Sequence, residues 1–380
     1  MKKLIMTAIF MLSSFVLSQG IYDQFDIPEF QSQSFSVSGD DLFYTRSQGD
    51  DSETRLNVGA NYDSQSQRPG FNLGYGLNFD YNSETVGDAD GTSDWNIGAP
   101  FNASQYFGGT KGAFGFGDGN LTMWGGDAYE DCDDCSDLFL TIGAGYGRIV
   151  DATPIAQAYA IADALGVDAD DATLLAIAEV LGAAASYEPL YKNDADEKFF
   201  NDVAAAAGAD GGAMTVQKVM RSGLYNVSSR STGYWVRAGL SNNYMRAEGD
   251  EDAGDFSLEA AYAMPMGVDR QFTAGFTYDM DMNSKDDGGG GTEMSLEAVY
   301  SMDHSYLWQS EASFTYGTSA NGDGDSMGGM MSLHAQTSYA VLNQMSVTGA
   351  FDYNMGIAPE GGEDPDAEMI ISTTVTYWVF

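Results

Sequence analysis

The sequence predicts an all-β transmembrane fold: a closed, antiparallel up-and-down β-barrel of about fourteen strands carrying one α-helical insert. Three observations carry this expectation. Apolar and polar residues alternate with period two over many long stretches. The connections between those stretches alternate too, short ones with long acidic ones. No segment after the first residues offers the roughly 18 consecutive apolar residues of a membrane-spanning helix.

The alternation is clearest at Phe272, Ala274, Phe276, Tyr278, Met280 and Met282, which enclose Thr273, Gly275, Thr277, Asp279 and Asp281. Successive side chains of a strand point to opposite faces, so one face here is aromatic and apolar and the other polar and charged. The same pattern runs through Phe71–Tyr81, Phe256–Met264, Met294–Tyr300, Trp308–Tyr316, Leu333–Tyr339 and Met345–Met355. A soluble sandwich also alternates, and the connections separate the two cases. The odd-numbered connections hold 26 of the 56 acidic residues, whereas the even ones, the insert aside, are tight and hold only Asp269 and Asp303. A meander of this kind has two chemically different ends, as a membrane barrel does.

Composition agrees. The chain has 380 residues with 46 Gly and 13% aromatics, which suits closely spaced tilted strands with aromatic belts. Lys plus Arg is 16 against 56 for Asp plus Glu, a net charge of −40, so nucleic acid is excluded as a natural partner and cations are favoured. At the start, Lys2 and Lys3 followed by the apolar run Leu4–Leu17 read as a secretory signal, with Ser18 or Gly20 as cleavage edges. The expected organisation is a signal peptide at 1–20 and an N-terminal segment at 21–32. Barrel strands follow at 33–149, a helical insert at 150–224, and further strands at 225–380.

The insert follows the run Gly145-Tyr146-Gly147-Arg148-Ile149. Its apolar residues repeat with period 3.6, as in Ile155, Ala158, Tyr159, Ala162 and Leu165, then Leu174, Ile177, Ala178 and Leu181, then Phe199, Phe200, Val203 and Ala207. Thr153-Pro154 reads as an N-cap followed by N1, and Asp170 or Asp171 as the cap of a second helix. The insert is either a plug, gate or docking platform, or a packed lid that only stabilises the barrel.

The last residues, Trp378 and Phe380, complete a resemblance to Gram-negative outer-membrane β-barrel proteins of porin-like type. It covers nearly the whole chain as pattern. Trp378 and Phe380 resemble the C-terminal signal by which such barrels are assembled, although Thr374 and Thr376 stand where that family has bulkier apolar residues. The resemblance implies an outer-membrane location, contact with membrane lipid and lipopolysaccharide, and handling by the barrel-assembly machinery. It places the long acidic loops outside the cell. The short turns, both termini and the insert, with any partner of it, fall on the periplasmic side.

On these strand phases the inward face includes Arg55, Arg148, Arg237, Glu259, Asp279, Asp281, Glu293, Glu297, Glu311, His334 and Asp352. Rings of carboxylates favour cations in a pore, and opposed acidic and arginine walls would set a transverse field. Alternatively the charges pair across a closed lumen. Cys132 and Cys135 form a CxxC in an acidic loop, with no second pair or nearby His to complete a zinc site. Surrounding carboxylates disfavour a reactive thiolate, so a loop-closing disulfide is the preferred reading over redox chemistry. Asp88, Asp90 and Asp94 around Gly91 resemble a calcium loop without its helices or terminal Glu, giving at most weak calcium binding, with a solvated acidic face as the alternative. No other cofactor is expected. Neither His304 nor His334 lies in a local nucleophile signature, which leaves catalysis little support. Two functions remain: a passive channel for small hydrophilic, cation-preferring solutes, or a structural and interaction barrel with ion- or surface-binding loops and a docking insert.

Overall fold

The computed structural model describes residues 20–25, 29–38, 44–48, 51–86, 91–127, 135–209, 211–221, 228–245, 254–282, 290–305, 307–321, 325–342, 345–359, 362 and 367–377. The signal segment, Asp88, Asp90, Cys132, Trp378 and Phe380 lie outside them.

Fourteen strands pair in strict sequence order, each antiparallel to the next. They are β1 (Phe30–Ser38), β3 (Asp51–Arg68), β4 (Phe71–Val86), β5 (Thr92–Tyr106), β6 (Ala113–Gly126), β7 (Ser136–Asp151) and β8 (Ser231–Met245), followed by β9 (Gly254–Pro265), β10 (Arg270–Asp281), β11 (Thr292–Ser305), β12 (Trp308–Ala320), β13 (Ser326–Leu342), β14 (Met345–Ile357) and β15 (Glu368–Tyr377). The short β2 (Tyr44–Gln48) pairs with the same strand as β1 and forms the outer half of one interrupted stave. Most strands exceed the about 9–11 residues that a tilted strand needs to cross a bilayer.

The alternation read from sequence becomes continuous rows across the sheet. Phe276 lies opposite Ala260 on one side and Leu296 on the other, and Leu296 lies opposite Tyr316. The intervening positions form the other face, where Thr277 lies opposite Glu259 and Ser295, and Asp279 opposite Ser257 and Glu293. The curvature has a direction. An Arg148 guanidinium nitrogen on β7 donates to Asn72 Oδ1 on β4 at 2.7 Å. Those strands are three steps apart, roughly 14 Å along a flat sheet, so the side chains meet only across the concave side. Arg148 reaches that side because Gly147 before it adopts φ 98°, which breaks the phase that leaves Tyr146 57% exposed on the outer face.

One feature departs from the sequence expectation. Among the described residues no ladder joins β1 to β15, so hydrogen bonds do not close the sheet. The first stave is split between β1 and β2, and β15 is ten residues long against 12 to 18 for β3–β14.

Between β7 and β8 the chain leaves the sheet and forms helices α2 (Thr153–Leu165), α3 (Asp171–Gly182), α4 (Tyr187–Tyr191), α5 (Ala195–Ala206) and α6 (Ala213–Met220). The predicted stripes pack into one apolar core in which Ile155, Ala158, Ile161, Ile177, Ala178, Val203 and Val216 are fully buried, whereas Tyr159, expected in the first stripe, is exposed and Ile161 takes the inward position. Asp170 caps α3, accepting from the Thr173 backbone N–H at 2.9 Å. The cap expected at Thr153 is displaced: Thr153 is already helical and its hydroxyl pairs with Asp151 instead. The N-terminal segment is not a free strand approach. A short helix α1 (Ile21–Gln24) brings Ile21, Tyr22 and Phe25 into this same core, with Phe25 only 1% exposed.

Candidate functional site

The concave face and the helical body at its tight-turn end bring most of the chain's unusual polar residues together. Near the loop end, Arg55 pairs with Glu53 at 2.5 Å and with Glu84 at 2.9 Å. Deeper, Arg237 lies 4.9 Å from the ring centres of both Phe116 and Trp235. It donates to both oxygens of Glu259, at 3.0 and 3.2 Å, and reaches Asp118 at 3.2 Å. The expected arginine wall is therefore largely neutralised, because two of its members sit between carboxylates that outnumber them. Opposite rows behave differently. Asp279, Glu293, Glu297 and Glu311 share the concave face and make no ion pair with a basic residue among the described residues. Asp281 continues that face at the loop end and receives the Gly290 backbone N–H at 3.4 Å. Asp279 and Glu293 stand directly opposite one another, a like-charge arrangement that favours a cation between them.

His334 Nδ1 lies 2.6 Å from Asp352 Oδ1, and Ser313 is the cross-strand neighbour of His334 on its other side. Sequence spacing did not reveal this Ser–His–Asp row, because strand register alone creates it. No hydrogen bond joins Ser313 to His334, and the backbone N–H groups around Ser313 are committed to the ladder on both sides.

The tight-turn end holds the most buried charge. Arg230, just before β8, has no exposed surface. Its guanidinium binds Asp303, near the end of β11, at 2.6 Å and the carbonyls of Val268, Ser228 and Ser229. Ser228 donates its backbone N–H to Asp303 at 3.0 Å and its hydroxyl to the same carboxylate, and Gln309 donates to Ser228 Oγ at 3.1 Å. The Arg230 carbonyl accepts from Ala152 and its backbone N–H donates to Thr153 Oγ1, so the segment also holds the start of α2. Tyr22 donates its hydroxyl to the Gly267 carbonyl at 2.9 Å, and burial pushes its pKa up to about 12. Lys111 Nζ donates to the Asp23 carbonyl at 3.4 Å. Arg148 donates to the carbonyls of Pro69 and Thr110 and lies 4.6 Å from the Tyr106 ring centre. The body and the residues packed with it therefore touch tight turns on opposite sides of the sheet. The sequence held a signal for this site: Asp303 is one of two acids in the tight turns, and Arg230 one of 16 basic residues in the chain.

The remaining expected sites are sparser. Asp94 accepts from Asn82 at 3.1 Å, a strand-to-strand hydrogen bond. Among the described residues no group of three His, Cys, Asp or Glu side chains is placed to hold a metal ion. Cys135 is disulfide-bonded, and Cys132 lies outside the described residues.

No family model matches the chain, and no curated protein matches it. Solved structures to which it is similar are barrels of the outer membrane. One is OmpT, an outer-membrane protein of Vibrio cholerae in trimer form, with 10% identity and a TM-score of 0.35, covering 91% of this chain and 100% of that one. Another is an anion-selective porin from Comamonas acidovorans, with 6% identity and a TM-score of 0.31, covering 91% and 99%. A third is the CymD monoaromatic hydrocarbon channel, with 10% identity and a TM-score of 0.27, covering 92% and 87%.

Proposed function

We propose that the chain is an outer-membrane β-barrel acting as a porin-like, non-enzymatic passive channel for small hydrophilic solutes, with a preference for cations. The fourteen staves close through the first and last strands, and the aromatic face meets lipid. The helical body lies across the periplasmic mouth, and the acidic connections lie outside the cell with lipopolysaccharide. Trp378 and Phe380 serve as the assembly signal.

The observation that carries the reading is the unpaired carboxylate wall on the concave face, Asp279, Glu293, Glu297 and Glu311, set against arginines already bound by acids. A lumen with that imbalance concentrates cations, and the effect fades as salt screens charges over about 8–10 Å. Conductance in a planar bilayer tests it. The intact protein is expected to conduct with cation selectivity that is strongest at low salt. Replacing residues 151–222 by a short turn is expected to raise the conductance. Neutralising Asp279, Glu297 and Glu311 together is expected to weaken the selectivity.

The second reading is an interaction barrel, which the helical body favours by exposing the apolar side chains Leu190, Tyr191 and Met214 to a periplasmic partner. A silent bilayer for both the intact and the shortened protein would favour it.

A further inference from the structure

A polar recess of about 240 Å³ lies between the return segment of the helical body and the concave wall. Two cross-strand rows form its wall. Ser301, Glu311 and Gln336 stand opposite one another on β11, β12 and β13, and Asp303, Gln309 and Ser338 form the next row. Ser228 and Ser229 cover the turn side. The second row is already engaged. Asp303 holds Arg230 and Ser228, Gln309 binds Ser228, and Ser338 pairs with Thr348 at 2.8 Å. The first row is not: the side chains of Ser301, Glu311 and Gln336 make no hydrogen bond among the described residues.

We propose that this recess binds a small organic cation, a primary ammonium carrying a neighbouring hydroxyl. The proposal deepens the channel reading by naming a solute class, and it rests on that reading for its physiological sense. Charge decides the sign. The Asp303 carboxylate is balanced by the buried Arg230, while Glu311 has no cationic partner among the described residues, so the recess carries one net negative charge. Geometry decides the donor count. Directly opposed residues in a sheet hold their Cβ atoms about 4.5–5.5 Å apart, so the Ser301 hydroxyl and the Gln336 amide oxygen flank the Glu311 carboxylate on either side. An ammonium supplies three donors to match them. Size limits the rest, because the volume falls below the roughly 300–1,000 Å³ of pockets for drug-sized ligands. The eight wall side chains named here are all polar, which disfavours a large alkyl or aromatic group. A divalent metal is disfavoured because only Glu311 is an uncommitted carboxylate.

Calorimetric titration of the full chain in detergent with 2-aminoethanol tests the proposal, with ethylene glycol and sodium chloride as comparison probes. Saturable binding of 2-aminoethanol without measurable binding of ethylene glycol is expected. Glu311→Gln is expected to weaken it by about ten-fold or more, the loss of one charge-assisted contact. Gln336→Leu, which removes the amide oxygen without touching the charge, is expected to weaken it as well. Glu197→Gln on the exposed surface of α5 is expected to leave it unchanged. Equal binding of ethylene glycol, displacement by sodium at equal concentration, or equal weakening by Glu197→Gln would each overturn the site. Conductance is read separately on the same protein. A conducting protein that does not bind 2-aminoethanol overturns the recess and leaves the channel standing. A silent protein that binds it upholds the site and removes the channel.

Discussion

The helical body and the strand ladder solve the burial problem in opposite ways. The body is built like a small water-soluble domain. Its apolar stripes turn inward, and Ile155, Ile161, Ile177, Val203 and Val216 have no exposed surface. The ladder buries few apolar side chains, chiefly Tyr106, Phe114, Phe116, Ala263 and Met264, and leaves Ile142, Leu240 and Ile371 on its convex face between 52% and 74% exposed. A soluble sheet with so much uncovered apolar surface would aggregate. Surrounded by hydrocarbon, the same surface is at rest. The two regions thus point to different solvents within one chain, with the buried Arg230–Asp303 pair at the junction.

The junction is where the comparison breaks most sharply. Asp303→Ala leaves the Arg230 guanidinium buried without its counter-charge, a change worth about 3–5 kcal/mol in comparable buried pairs. Because the pair links the body to the ladder rather than holding either together, the expected result is release of the body. Protease cleavage near residues 222–230 should rise steeply while the heat resistance of the ladder stays unchanged. Equal loss of ladder stability would mean that the two regions form one cooperative unit.

A second test concerns the ladder alone. Phe276→Arg puts a charge on the convex face and is expected to cost about 2–4 kcal/mol when the protein is folded into a bilayer. Thr277→Arg, one residue on, points to the concave face opposite Glu259 and should cost far less. Equilibrium refolding into phospholipid vesicles reads both. Equal penalties would remove the distinction between a lipid face and a water face.

How much of this was legible in the sequence follows from the range of the interactions involved. Period-two alternation is local, so the fourteen staves and their connections could be read from Phe272–Met282 and its counterparts. Period 3.6 is equally local, and the stripes at Ile155 and Leu174 gave the helices. What the sequence did not show depends on register or on distant contacts. Ser313 meets His334 and Asp352 only because three strands align, and Arg230 meets Asp303 across 73 positions. The docking of Ile21, Tyr22 and Phe25 into a core built mostly of residues 150–219 is of the same kind. The pairing of Arg237 is of the same kind. Alternation placed Arg237 on the right face but could not show Phe116 and Trp235 beside it, or Asp118 and Glu259 bound to it.

The smallest expected effect separates the two regions by pH. Tyr22 and Tyr187 both belong to the helical body, and both have pKa values raised from 10.0 to about 12. Burial is the main cause for each; for Tyr187 the hydrogen bond to Asp202 adds to it. A raised folded value means that the native body holds these protons more tightly than the unfolded chain does. The stabilisation from the neutral phenols is therefore fully present below pH about 10. Between about 10 and 12 the unfolded state releases protons that the native state keeps, and stability falls as pH rises. The body should accordingly loosen in that window. Pairing Tyr22→Phe with Tyr187→Phe should remove the tyrosine contribution to the slope at the cost of two hydrogen bonds. Thermal unfolding of the body, followed through its helical circular dichroism from pH 9 to 12, measures it. If the double variant loosens over the same window with the same slope as the parent, the phenols are not responsible. Loss of the β-sheet signal in step with the helical one would again make the two regions a single unit.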